Sequence, residues 1–214
     1  MTEPGRRSNG SPAPLRVLFV CTANISRSPY AERRARQVLD GWNVEITSAG
    51  IPGYPGRGMD EEMAKLLLAR GADAAGHVSR VVNDEIFEGS DLVLTFEFGH
   101  HMKLLDAHPE HRHKIVGIGQ LATAVRRLEE SGERLPAVDD VEDLAEVVRK
   151  NAGANSMTYD VDDPYRRGTK VAIACADEID RHLDRILPFI AGAELPKLAA
   201  SEVSAPKKKR WPWG

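Results

Sequence analysis

Residues 15–20 read Leu-Arg-Val-Leu-Phe-Val, a short, mostly apolar run with β-branched residues, and the chain turns polar directly after Cys21. A run of this kind forms a strand buried on both faces, as in parallel sheets. The next segment is helical in character: Pro29 suits the first position of a helix, Tyr30 to Asp40 holds good helix formers, and Gly41 suits the stop. Val44 to Thr47 reads as a second strand, Leu92 to Thr95 as a third and Ile115 to Ile118 as a fourth. Between them, residues 60–70 open on acidic side chains and close on Arg70-Gly71, the polarity that a helix dipole favours. Leu121–Glu130 and Val141–Lys150 also read as helices, joined by a link containing Gly and Pro. A final helix from about Thr169 to Ala191 places Cys175, Ile179, Leu183, Ile186 and Ile190 on one apolar face. Strands alternating with helices predict an α/β fold: a single domain built on a doubly wound four-stranded parallel sheet with helices on both faces.

The domain is expected over residues 15–193, with a longer connection at about 122–157. Residues 1–14 are rich in Pro, Gly and Ser, and residues 194–214 form a basic, Trp-containing stretch without periodicity, so both read as disordered tails. Charge excludes one class of partner. The whole chain carries -3; residues 1–14 contribute +1 and residues 196–214 contribute +4, which leaves -8 on residues 15–195. Such a body repels a nucleic-acid backbone, so no nucleic acid is expected as partner. No apolar run approaches the roughly 20 residues of a membrane-spanning helix, and residues 1–14 lack the apolar stretch of a secretory signal. A soluble, cytoplasmic, monomeric protein is expected. The cluster Lys207, Lys208, Lys209 and Arg210 beside Trp211 and Trp213 offers an anionic membrane only about 1 kcal/mol per charge, so membrane contact is not favoured. His100, His101, His108, His111 and His113 have no cysteine among them and are interrupted by Pro109, so they read as a solvated helix end and no metal is expected.

With only two cysteines, Cys21 and Cys175, a disulfide framework is excluded. Cys175 sits on the apolar face of the last helix and reads as core. Cys21 opens the segment Cys21-Thr22-Ala23-Asn24-Ile25-Ser26-Arg27-Ser28, a Cys-x5-Arg-Ser loop between a buried strand and a helix. Successive backbone N–H groups in such a loop, ending at a helix N-terminus, form a concave phosphate-binding loop after strand 1. A cysteine there is expected as a thiolate nucleophile. Arg27 supplies a planar fork for two phosphate oxygens, Ser28 can donate to the sulfur, and Asn24 tolerates left-handed backbone. Phosphoryl transfer to sulfur leaves an alkoxide or phenolate that needs a proton. The acidic loop Asp160-Val161-Asp162-Asp163-Pro164-Tyr165-Arg166-Arg167-Gly168 precedes the last helix, and Asp163 is its best candidate for a general acid on a mobile loop. Backbone amides, sulfur and arginine supply the electrostatics, so no cofactor is expected.

Together, VLFVCTANISRSPYAE and DDPYRRG resemble the low-molecular-weight protein-tyrosine phosphatase family, in which the cysteine loop follows the first strand and an Asp-Pro-Tyr acid loop lies near the C-terminus. The likeness extends through ITSAG at 46–50, HVSR at 77–80 and DLVLTF at 91–96. The resemblance implies hydrolysis of phosphotyrosine on a protein substrate through a phosphocysteine, with Cys21, Arg27 and Asp163 catalytic. It further implies that Asn24, Ser28, Ser48 and His77 brace the loop, that Thr22, Ala23, Asn24, Ile25, Ser26 and Ser28 meet the substrate, and that Tyr165 and Tyr54 line the pocket.

Several positions depart from the family pattern. Ala23 replaces a glycine and Ser26 a second cysteine, which removes the thiol that could trap oxidised Cys21. Arg166 replaces an aromatic and favours an acidic residue beside the phosphotyrosine. Three alternatives remain. Relatives acting on phosphoarginine typically carry Thr where this chain has Ile25, which packs better on a phenyl ring. An arsenate reductase needs further cysteines, and a silent phosphopeptide-binding module has no use for Cys21, Arg27 and Asp163 together.

Overall fold

A computed structural model of the protein describes residues 13–133 and 143–192. The tails read at 1–14 and 194–214, apart from Ala13 and Pro14, lie outside the described residues, as do the link at 134–142 and the start of the helix expected from Val141. Strands β1 (Leu15–Cys21), β2 (Val44–Gly50), β3 (Leu92–Thr95) and β4 (Ile115–Gly117) form one sheet in the order β2-β1-β3-β4. Every pairing is parallel, with Cys21 opposite Gly50 and Val20 opposite both Ala49 and Thr95.

Alternation along β1 divides the core. Val17, Phe19 and Cys21 join the larger apolar cluster, while Leu18 and Val20 join the smaller one on the other face. Helices α1 (Arg27–Val38), α2 (Glu61–Ala69), α5 (Ile118–Ser131) and α7 (Thr169–Ala191) pack into the larger cluster. The short α3 (Asp84–Glu88) and α4 (Phe98–Ala107) cover the opposite face through Phe87 and Leu104. Helix α6 (Leu144–Ala152) lies against α5 and contributes Leu144 and Val148. Full burial is worth ~1.5–3 kcal/mol per large apolar side chain. With Val17 through Cys21 all buried, β1 is a firm base for the loop that leaves its end.

Two boundaries differ from the sequence expectation. Helix α1 begins at Arg27, ahead of Pro29, because the loop closes directly into the first turn: Tyr30 N donates to Ser26 O at 3.2 Å. The fourth strand ends at Gly117, and Ile118 already opens α5. Helix α1 is then locked to α2 and α7 by a buried polar cluster. Asp180 accepts from Arg34 Nε and Nη2, each at 3.1 Å, and from Arg70 Nη1 at 2.8 Å, while the Tyr30 hydroxyl accepts from Arg70 at 2.9 Å. Burial raises the Tyr30 phenol, with Asp180 adding to it, so the hydroxyl stays neutral and the cluster stays intact.

Candidate active site

In a doubly wound sheet, ligands bind at the carboxyl ends of the strands, where the connections diverge. Here the chain leaves β1 for β2 on one side and passes to β3 on the other, so the crevice opens beyond Cys21 and Thr95. A cavity of about 540 Å³ occupies it, lined by Cys21, Thr22, Ala23, Ile25, Ser26 and Arg27 from the loop, by Tyr54, Arg57, Met59 and Asp60 after β2, and by Asp163, Tyr165 and Arg166 before α7.

Behind the loop runs a chain of hydrogen bonds of consistent direction. Ser48 Oγ donates to Glu32, Asn24 Nδ2 donates to Ser48 Oγ at 2.8 Å and to Ser28 Oγ at 3.0 Å, and Ser28 Oγ lies 3.0 Å from Cys21 Sγ. With both Asn24 protons aimed at serine oxygens, the Ser28 hydroxyl proton is left for the sulfur or for Ala49 O, 3.4 Å away, and the sulfur is the nearer at 3.0 Å. His77 Nε2 donates to Asn24 O at 2.8 Å, and Asn24 Oδ1 accepts from Arg80 N at 3.0 Å. These bonds hold Asn24 at φ 58, a left-handed conformation that few residues other than glycine tolerate. Asn24 and Ser28 therefore lie behind the loop, fully buried, and do not line the cavity. Ala23 has no positive φ, so the loop accepts its Cβ without strain. The close approach is made by Gly50 instead: a Cβ there would come within 2.8 Å of Thr22 O and 2.9 Å of the Ala23 carbonyl carbon.

On the other side stands Arg27, 1% exposed. Its Nη1 donates to Val161 O at 2.7 Å and to Glu97, while Nη2 reaches Thr22 Oγ1 and Asp163 Oδ2, both at 3.3 Å. Burial works against its charge, but Cys21, Asp163 and Glu97 outweigh that effect and raise its pKa. Its Nε has no partner among the described residues, and neither does the buried Ser26 Oγ. The backbone amides of Ala23, Asn24, Ile25 and Ser26 likewise find no acceptor there. Buried donors without acceptors are rare in proteins. Several converging on one concavity beside a cysteine make a site that can hold a tetrahedral anion and present a sulfur to it.

Glu97 and His100 were missed in the sequence. His100, read as part of a solvated helix end, is instead 2% exposed, with Nε2 at 2.9 Å from Thr22 Oγ1 and 3.4 Å from Glu97 Oε2. Burial, together with the nearby Arg27 and Lys103 charges, lowers its pKa to about 4, so it is neutral. His108 also departs from that reading, stacking on Phe87 with ring centroids 4.0 Å apart. The signal for Glu97 was its place just beyond β3, at the carboxyl edge of the sheet. The acid loop is anchored at its start: Val161 N donates to Phe96 O at 2.9 Å, and Asp160 Oδ1 accepts from Phe98 N at 2.6 Å at the head of α4. Asp162 is exposed and pairs with Arg167 at 3.2 Å, leaving Asp163 as the carboxylate of this loop that faces the cavity. Cys175 is buried in the core, its thiol pushed up to about 12 chiefly by burial.

The family model for low molecular weight phosphotyrosine protein phosphatases matches residues 16–149. The chain belongs to that family. It is 36% identical over 104 residues to the low molecular weight protein-tyrosine-phosphatase Etp of Escherichia coli K12, covering 49% of this chain and 69% of the relative. It is 32% identical to Wzb of Salmonella typhi, over 49% and 68% of the two chains. Among solved structures, the phosphatase of T. tengcongensis superposes with a TM-score of 0.62 at 27% identity, covering 81% of this chain and 97% of that one. The YwlE arginine phosphatase of Geobacillus stearothermophilus gives 0.60 at 26%, over 81% and 91%. The phosphatase loop of this chain is thus set on the parallel sheet that the family shares.

Proposed function

We propose that the protein is a protein-tyrosine phosphatase that hydrolyses phosphotyrosine through a phosphocysteine. The observation that carries this reading is that the buried, unpartnered Arg27 Nε and Ser26 Oγ, with the unpaired amides of Ala23, Ile25 and Ser26, belong to residues lining the cavity where Cys21 Sγ sits 3.0 Å from Ser28 Oγ. The Cys21 thiolate attacks phosphorus, forming the S–P bond as the P–O bond to the tyrosine breaks. Asp163, in its acid form, gives its proton to the departing phenolate oxygen. Water then attacks phosphorus, the S–P bond breaks, and the water proton passes to Asp163 as inorganic phosphate forms.

The Nε–Nη2 edge of Arg27 takes two equatorial oxygens while Glu97 and Val161 O hold Nη1, so the fork is oriented before substrate arrives. Glu32, Ser48, Asn24 and Ser28 act behind the loop as positioning residues that keep a hydroxyl proton on the sulfur. Tyr54 and Tyr165 flank the phenyl ring.

Phosphoarginine is the second reading, favoured by the likeness to the YwlE arginine phosphatase. Against it, Ile25 puts an apolar side chain on the cavity wall, which suits a ring better than a guanidinium. Turnover of matched phosphotyrosine and phosphoarginine peptides decides between them, with phosphotyrosine expected to be faster. In the same assay Cys21→Ser is expected to abolish turnover of p-nitrophenyl phosphate while retaining affinity for inorganic phosphate. Residual turnover at wild-type rates would overturn the mechanism.

A further inference from the structure

The mouth of the cavity carries two guanidinium groups for which the hydrolysis has no use. We propose that Arg57 and Arg166 select phosphotyrosine segments with acidic residues on both sides of the phosphotyrosine, each guanidinium taking one carboxylate. The inference rests on the phosphotyrosine reading and narrows its substrate class.

Each arginine lies over the ring of an exposed tyrosine of the cavity wall. Arg57 Cζ lies 5.0 Å from the Tyr54 ring centroid, and Arg166 Cζ lies 5.1 Å from that of Tyr165. A guanidinium held over a ring can still offer N–H groups to a carboxylate. No carboxylate takes them: among the described residues neither arginine forms an ion pair. Their neighbours differ. Arg167 is paired with Asp162, Asp163 with Arg27, and Asp60 accepts from Met63 N at the head of α2. The carboxylates of the cavity are therefore committed elsewhere.

The backbone at both positions is also fixed. Ser79 clamps the first: its Oγ accepts from Arg57 N at 2.8 Å and donates to Tyr54 O at 2.6 Å, and its own N–H donates to Arg57 O at 2.7 Å. One buried serine thus sets the spacing of Tyr54 and Arg57. Arg166 occupies the third position of a turn closed by Arg167 N donating to Pro164 O at 3.0 Å, with φ 58. Glycine is the residue that such a turn prefers. A long cationic side chain held in a left-handed conformation at a pocket mouth is the sort of outlier from which function is properly inferred. The two arginines come from different loops, one following β2 and one preceding α7, so a bound segment meets one on each loop.

The test compares kcat/KM for three phosphotyrosine peptides of equal length, flanked on both sides by Glu, by Gln or by Lys. Exposed charge-assisted pairs are worth about threefold each, so wild type should favour the Glu peptide over the Gln peptide about tenfold. Arg57→Gln and Arg166→Gly should each cut that ratio about threefold, and the double variant should bring it near one. Reversing both charges, Arg57→Glu with Arg166→Glu, should shift preference to the Lys peptide. A wild-type ratio near one in protein that turns over p-nitrophenyl phosphate overturns this inference and leaves the phosphatase reading standing. So does a tenfold ratio that survives the double variant. Wild type inert toward p-nitrophenyl phosphate and all three peptides overturns the phosphatase reading and this inference with it.

Discussion

Acidification should destabilise the protein through His100. Its ring is buried against the loop arginine, with a pKa near 4 in the folded chain, against an ordinary value of about 6.5 once unfolded. Between those two values the unfolded chain binds a proton that the folded chain does not, so stability is full above about pH 6.5 and declines as pH falls toward 4. The total loss is about 3 kcal/mol, and between pH 7 and pH 5 it is about 2 kcal/mol. Asp160, whose pKa is raised by burial, works in the opposite direction at lower pH, so the His100 contribution is best isolated by difference. Urea unfolding of wild type and His100→Gln at pH 7 and pH 5 supplies it: wild type should lose about 2 kcal/mol more than the variant over that interval. In parallel, the His100 ring resonance of native protein should remain that of a neutral imidazole down to about pH 5. Equal losses in both proteins, or a His100 titration centred near 6.5, would show that this ring is not buried beside Arg27 as described.

Two further outcomes concern the reaction. Asp163→Asn should lower turnover of phenyl phosphate by about 10²–10⁴-fold while leaving phosphate binding in place, whereas Asp162→Asn, altering an exposed carboxylate paired with Arg167, should stay near wild type; the reverse pattern would transfer the acid role. Peroxide should inactivate the enzyme with little recovery on dithiothreitol, because Ser26 stands in the loop where the family carries a second cysteine and the other thiol, Cys175, is buried in the core. Full thiol-dependent recovery of wild type would refute this, and Ser26→Cys is expected to gain it.

The apolar runs at 15–20, 92–95 and 115–117 made the parallel sheet legible, since strands buried on both faces need no polar alternation and announce themselves in one short window. Cys21, Arg27 and Ser28 were legible for a related reason: one continuous loop has to supply the sulfur, the amides and the arginine, so their spacing survives in the linear order. Asp163 was legible as the best acid of a Pro- and Gly-bounded acidic loop before the last helix, whereas Ser48 was reached through the family resemblance.

Glu97 and His100 were not legible, because their partners, Arg27 and Thr22, lie some 70 residues away and only the placement of β3 beside β1 brings them together. Without that pairing a histidine in His-His-Met-Lys reads as surface. The same holds for Ser79, whose hydroxyl and amide set Arg57 and Tyr54 at the cavity mouth. The sheet and the phosphate loop are written into the linear order of residues, because backbone periodicity and a single contiguous segment encode them. The orientation of Arg27, the charges left unpaired at the rim and the burial of one histidine among five arise only on packing, because burial and hydrogen-bond partners are properties of the folded chain.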